Sequence, residues 1–521
     1  MPDWRTLLVL THRWLGIAGC VLFAAWFASG IAMMYVRMPA VAGEEQLARA
    51  EPLDLSSARY SVVDAANLNG LRVTQVEAGM LQGRPAWHFG GRDQFIVFAD
   101  TGEFFLGLDE AGAAEVAHRW APAGVTPRYD AYVTAPDQWT LQTRLPVHRF
   151  AFDDEAGTYL YVSETTGDVV QRTTARERFW AYLGPVLHWL YFTPLRSDGA
   201  LWTEVVIWAS LIGCFMCLTG LLWGAMRLSP FRRFRIRRTR VMSPYTGMMK
   251  WHHYAGLIFG VITLTWAYSG LLSLGPFNWF TSRGFTAEQR EATTGGPLRT
   301  DVLTIDSMRA ALDVYAAEAG FVPRRLEVLQ VQGEPFWVAD RPPASPEPWV
   351  EAGLLPRAPR PQIEAVYVPA ADPGYGPRTR FDAEAMEAIA GEVMAGVPVR
   401  DAVWLGEYDG YYYDLRGQRP LPVLRVRYLD EVETWLYLDP TRGGVVQRSE
   451  RVSRTRRWLY QGLHSLDFPF LYFERPLWDA VVIGLSVGGT VLSVTTMLPA
   501  WRRLRAHGRG AVRKLRRGRG A

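Results

Sequence analysis

Four of the nine histidines in this 521-residue chain sit where histidine is costly, at the edges of long apolar stretches. His12 and His252 lie before the first and third stretches, His188 and His464 before the second and fourth. A neutral imidazole offers one nitrogen lone pair to a metal while its other nitrogen keeps a proton, which makes histidine a common ligand and a frequent axial ligand of haem iron. Two offsets relate the four. A shift of 240 lays Thr11-His-Arg-Trp-Leu-Gly-Ile17 over Trp251-His-His-Tyr-Ala-Gly-Leu257, and Ser29-Gly30 over Ser269-Gly270. A shift of 276 carries His188 onto His464, Leu201-Trp202 onto Leu477-Trp478 and Thr219 onto Thr495. Pseudo-twofold symmetry brings equivalent residues face to face, so His12 with His252 and His188 with His464 form two candidate bis-histidine haem sites, one toward each membrane face. Gly16, Gly256, Gly184 and Gly462, near these histidines, would leave room for a macrocycle or for close helix packing.

The elements that must position them follow from hydropathy. Trp14–Tyr35, Val205–Met226, Tyr254–Phe277 and Ala480–Trp501 each run 22 or more residues without a formal charge. At about 1.5 Å per residue, roughly 20 apolar residues cross a hydrocarbon core about 30 Å thick. The first stretch is too long for a cleavable signal, which prefers about 7–15 apolar residues, and reads as a retained anchor. Arg227 to Lys250 carries +8, the tail after Trp501 +9 and residues 1–13 +1, which against a whole-chain +4 leaves −14 for everything else. Positive flanks stay cytoplasmic, so both termini and the central loop are expected there and the acidic remainder outside. Beside a span such basic runs are topology signals, and nucleic acid is not needed to explain them.

The 276 offset extends into the polar regions. Nine of sixteen positions from 157 to 172 are identical to 433–448, including Val-Val-Gln-Arg in both. The expected architecture is an α+β membrane protein: a four-transmembrane-helix bundle with two periplasmic α+β domains and an internal two-fold repeat. Its segments are 1–36 (N-terminus and first span), 37–200 (first periplasmic domain), 201–226 (second span), 227–250 (basic loop), 251–277 (third span), 278–476 (second periplasmic domain), 477–501 (fourth span) and 502–521 (basic tail). Thr158–Val162 and Thr434–Leu438 read as strands, each leading into a turn. Ile305–Gly320 has helical apolar spacing. Proline-rich Arg341–Arg360 reads as a surface loop, and Pro194 with Ser197-Asp-Gly199 interrupts the approach to the second span. Cys20, Cys214 and Cys217 all fall in predicted spans, leaving the exported regions without disulfides or cysteine-bound metal.

The remaining candidates weigh less. Trp14, Trp180, Trp189, Trp202, Trp458 and Trp478 are expected as interfacial belts. His253 points about 100° from His252 around a helix, and His148 aligns with Leu424. His88, His118 and His507 read as ordinary surface residues.

The openings from His12 and His252, Pro146-Val-His-Arg-Phe-Ala-Phe-Asp-Asp154, Thr166-Gly-Asp-Val-Val170, and Leu187-His188 leading to Leu218-Thr-Gly-Leu-Leu-Trp223 resemble the PepSY-associated transmembrane family. The resemblance covers nearly the whole chain through short motifs. It implies a bacterial inner-membrane protein associated with iron acquisition, similar in some members to b-type dihaem reductases that release iron from ferric siderophores. On that reading His12, His252, His188 and His464 are the axial ligands of two haem b groups. Electrons from a cytoplasmic or membrane donor reach a ferric siderophore or other iron chelate in the periplasm. No Gly-rich dinucleotide fingerprint is present, so bound NAD or FAD is not expected. One departure stands out: Leu218-Thr-Gly-Leu221 becomes Val494-Thr-Thr-Met497, which puts close packing of the fourth span in question. Two other classes stay open. One is a sensor or ligand-binding membrane protein with structural histidines; the other is an iron-uptake transporter component, though the charge-free spans argue against a proton-coupled carrier.

Overall fold

The chain mixes helices with several antiparallel sheets. Its computed structural model describes residues 3–518 apart from 91–93, 232, 237–238, 344–362 and 415–418. Most of the proline-rich stretch therefore lies outside the described residues. Among them, four helices are long and apolar enough to cross a membrane: α1 (Trp4–Met33), α2 (Gly199–Arg227), α3 (Met248–Ser273) and α4 (Leu477–Gly518). Each begins or ends beyond its charge-free window because helix continues into the polar flanks. The basic tail is thereby an extension of α4 through residue 518, and the central loop contains a two-stranded hairpin, Phe234–Ile236 with Thr239–Val241.

Two compact units result. The first comprises residues 1–38, 179–281 and 455–521, the second 39–178 and 282–454. Residues 179–198, expected at the end of the first polar domain, belong with the long helices. In that first unit α1 packs on α2 and α4, and α3 packs on the same two, so α1 and α3 stand diagonally across a ring of four. Ser29, Ser210, Thr219, Ser269, Ser493 and Thr495 are buried polar residues of these helices. Thr219, Ser269 and Thr495 each donate to a carbonyl three residues back in the same helix, and Ser493 to one four back.

The second unit is built on strands β1 (Val76–Leu81), β2 (Arg84–Phe89), β3 (Phe95–Phe98), β4 (Pro127–Val133), β5 (Val147–Phe152), β6 (Tyr159–Ser163) and β7 (Val169–Thr173). From the later stretch come β8 (Leu326–Val331), β9 (Glu334–Asp340), β10 (Ala365–Pro369), β11 (Val399–Leu405), β12 (Val423–Tyr428), β13 (Trp435–Asp439) and β14 (Gly444–Ser449). Strands β4–β7 and β11–β14 make two four-stranded meanders in sequence order. The strands expected at 158–162 and 434–438 are β6 and β13, and the expected helix runs Ile305–Val314 and continues as a π-helical turn to Ala319. The remaining six strands form one sheet in the order β10-β9-β8-β1-β2-β3. The two stretches read from sequence as separate domains thus share a sheet, joined where β1 meets β8 through Glu77 opposite Glu327 and Ala78 opposite Leu326. One core spans the seam: Trp87, Val97 and Ala65 pack in the same cluster as Trp337, Met308 and Val368. Both indole N–H groups in it are satisfied, Trp87 by Tyr60 O at 2.9 Å and Trp337 by Ser307 Oγ at 3.0 Å. Buried indoles need such partners to keep their large apolar gain.

Candidate functional site

All four repeated histidines belong to the first unit, and they meet in twos. His12 of α1 and His252 of α3 have ring centroids 6.2 Å apart, and His188 and His464 stand 6.1 Å apart. Two imidazoles gripping one ion from opposite sides, each with a metal–nitrogen bond near 2 Å, place their centroids about 6 Å apart. The pairs lie near opposite ends of the bundle. His12 to Gly30, which touches His188, is 18 residues of α1, or about 27 Å of helix.

Each ring is held by one nitrogen. His12 Nδ1 is 3.0 Å from Met216 O on α2, and His252 Nδ1 is 3.2 Å from Leu492 O on α4. His188 Nδ1 is 3.2 Å from Trp26 O and 3.1 Å from Ser29 Oγ, while His464 Nδ1 is 3.0 Å from Ser269 Oγ. A carbonyl only accepts, and each serine hydroxyl already donates to a carbonyl of its own helix, Trp26 O or Trp266 O. The proton therefore resides on Nδ1 in every case. Among the described residues no hydrogen bond reaches any of the four Nε2 atoms, which keep a free lone pair. Metal-bound histidines show this division of labour: one nitrogen donates to a carbonyl or oxygen, fixing the tautomer, and the other ligates.

The segments that deliver His188 and His464 are irregular in the same way. A π-helical turn, Tyr182–Val186 before His188 and Trp458–Gly462 before His464, feeds a three-residue helix, Leu187–Trp189 or Leu463–Ser465. Each then stops at a leucine with positive φ, Leu190 at 55° and Leu466 at 53°. Such a leucine costs about 1–2 kcal/mol, so neighbouring contacts must hold it. One is visible: Trp202 of α2 donates its indole N–H to Trp189 O at 2.8 Å, and Trp478 of α4 donates to Ser465 O at 2.9 Å. These two tryptophans, expected as belt residues, are latches on the residue directly after each histidine. The break before α2 is as expected, with Asp198 capping Leu201 N at 2.9 Å.

Open space lies against the His12–His252 pair. A cavity of about 630 Å³ is lined by both rings and by Gly16, Gly256 and Gly220, within the range that holds drug-sized or larger ligands. Gly220 is sterically required: a Cβ there would stand 2.4 Å from His12 Cε1. Its counterpart Thr496 instead sets a hydroxyl 2.9 Å from His252 Nδ1. The departure Gly-to-Thr thus bears on the histidines rather than on helix packing. Gly16 and Gly256 do leave room at the cavity, whereas Gly184 packs against Ala32 and Met33, and Gly462 against Trp458 and Phe468. Between the two pairs Phe23, Phe27 and Trp266 fill the bundle, with centroids 6.4 and 5.7 Å apart along the series. The residues present fit a bis-histidine macrocycle by ring spacing, tautomer and, at the His12–His252 pair, by volume.

No protein-family model and no curated protein matches this sequence. The site stands on its own geometry.

The other histidines separate cleanly. His253 is buried with both nitrogens engaged, Nδ1 with Ser243 Oγ at 2.8 Å and Nε2 with Gly224 O at 2.9 Å, so it has no lone pair to give. His148 is likewise committed to Leu108 O at 2.8 Å. His118 and His507 are exposed, as expected. His88 is not a surface residue. It sits opposite Glu77 on adjacent strands and shares a small polar pocket with Asp168 and Arg325, and burial holds its imidazole below the usual range. Arg325 bridges Glu77 at 3.1 Å and Asp168 at 2.7 Å.

Proposed function

We propose that this chain is a b-type dihaem membrane reductase that passes electrons across a bacterial inner membrane to a ferric siderophore or similar iron(III) chelate in the periplasm. The observation that carries the reading is the pairing of four imidazoles at 6.2 and 6.1 Å, each with Nδ1 committed and Nε2 free. His12 and His252 would hold one haem and His188 and His464 the other, as equivalent residues of a duplicated unit. Bound there, the two groups supply one-electron chemistry at the two ends of the bundle.

The chain's own residues set the conditions for that chemistry. Met216 O, Leu492 O and the hydroxyls of Ser29 and Ser269 accept from Nδ1 and raise ligand basicity, which lowers a reduction potential. Phe23, Phe27 and Trp266 exclude water between the pairs and keep the local dielectric low. The basic loop and tail orient the bundle with His12 and His252 toward the cytoplasm. Iron(III) held by hard oxygen donors is bound less tightly once reduced, so a single electron delivered outside releases the metal. The donor is a cytoplasmic or membrane reductant, consistent with the missing dinucleotide fingerprint.

An absorbance spectrum of detergent-purified protein tests this. A Soret band with sharp alpha bands after dithionite, at two haems per chain, is the expected result; a featureless visible spectrum ends the proposal. Dithionite-reduced protein freed of excess reductant should then be reoxidised by a ferric chelate under anaerobic conditions, with iron(II) captured by a chromogenic chelator.

A further inference from the structure

The cavity beside His12 and His252 is apolar along Ile17, Phe23 and Leu221, but three arginines line it as well: Arg13, Arg502 and Arg503. Arg13 follows His12 on α1 and is half-buried; Arg502 and Arg503 follow Pro499 on α4 and are exposed. Among the described residues none of the three makes an ion pair or a side-chain hydrogen bond, whereas their neighbour Arg505 lies over the Trp501 ring at 5.1 Å. No acid lines the cavity, none occurs from 205 to 287 or from 480 to 521, and Asp3 is the one acid before Glu44.

Three like charges gathered at one opening without a counter-ion repel one another, the more so beside a low-dielectric wall. An anion supplied by a ligand reverses that sign. Arginine's planar fork matches a carboxylate in two parallel hydrogen bonds. An occupant with a flat apolar body and acidic groups at one edge would bury the first among the apolar walls and present the second to the arginines. Anionic lipid headgroups share the charge and are attracted to basic residues at the cytoplasmic surface. The half-buried Arg13, which lines the cavity itself, favours an anion carried by the occupant.

We infer that Arg13, Arg502 and Arg503 form a carboxylate clamp at the rim of this cavity, which would fix the acidic edge of a dicarboxylic macrocycle held by His12 and His252. The inference rests on the haem reading above. The clamp and the histidines act on different parts of the ligand, the acids and the metal, so they are separable by experiment.

The test is haem loss from the full-length protein in detergent to excess apomyoglobin, followed by the Soret shift. Wild type should lose its His12–His252 haem slowly. R502Q/R503Q, at exposed positions whose removal leaves the fold intact, should lose it at least tenfold faster, and R13Q faster again. Wild type reconstituted with protohaem dimethyl ester, which lacks free carboxylates, should match the variants, and the ester should leave variants and wild type alike. Unchanged loss rates in the variants overturn the clamp, as does an equal effect of the substitutions on haem and its ester. So does an effect that appears only in vesicles containing anionic lipid and vanishes in neutral detergent. If wild type binds no haem at all, the functional reading beneath the clamp fails; if haem binds and is retained regardless of these arginines, only the clamp fails.

Discussion

The two histidine pairs keep nearly the same ring spacing and are held by different means. His12 and His252 stand on long regular helices, reach carbonyls on neighbouring helices and face a cavity. His188 and His464 ride short helices behind π-helical turns, are stopped by left-handed leucines and are braced by serine hydroxyls and tryptophan latches. The second pair is internally matched, serine for serine and tryptophan for tryptophan. The first is not: Gly220 makes room for His12 where Thr496 bonds His252. Equal spacing with unequal support means that the spacing is the constrained quantity, and that the two rings of the first pair differ in how firmly they are fixed.

That contrast can be broken most sharply at Gly220. Gly220→Val places side-chain carbon where His12 lies, so one of two haem equivalents should be lost, counted by pyridine haemochrome. The mirror change Thr496→Gly should lose none. If both variants keep two haems, His12 is not a ligand. Next comes Ser269→Ala. Outer-shell partners of a metal-bound histidine are typically worth roughly 10–100-fold in affinity, so loss of the hydroxyl on His464 Nδ1 should speed haem loss from the His188–His464 site by about that factor. It should act on that site alone. Identical effects at both sites would erase the distinction drawn between them. Ser29→Ala and Thr496→Val should do less, a few-fold at most, because Trp26 O remains 3.2 Å from His188 Nδ1 and Leu492 O 3.2 Å from His252 Nδ1. Smallest is His253→Gln, which should leave haem content at two per chain. Its cost is in stability, about 1–3 kcal/mol for the buried partner left unsatisfied, read as a lower melting temperature.

Much of this was legible because it is written twice. The spans are visible as charge-free windows, and the histidines of interest are picked out from nine by recurring at fixed offsets, which also keeps His253 apart. What repetition cannot report is a contact between the copies. The join of β1 to β8 rests on two residue pairs, Glu77–Glu327 and Ala78–Leu326, about 250 positions apart, and neither strand advertises a partner so distant. The Gly220-to-Thr496 change was visible, but its meaning depends on which ring stands opposite. Trp202 and Trp478 recur at the 276 offset as the histidines do, but tryptophan beside an apolar stretch reads as an interface residue, and nothing in the sequence says that the pair hydrogen-bonds to the chain beyond each histidine. His88 reads as a surface residue because the repeat offers it no counterpart histidine, yet the pocket with Glu77, Asp168 and Arg325 encloses it.

The shared six-stranded sheet has a consequence for biogenesis. Until residues 326–331 are synthesised and delivered beside 76–81, the edge of β1 that faces away from β2 has no partner, and the core around Trp87 lacks Met308 and Val368. Bare edges recruit foreign strands. A ribosome stalled between α2 and α3 would leave an adhesive half-product. A reading frame split between α2 and α3 is expected to give folded protein only when both fragments are made together, because each supplies half of one sheet and core.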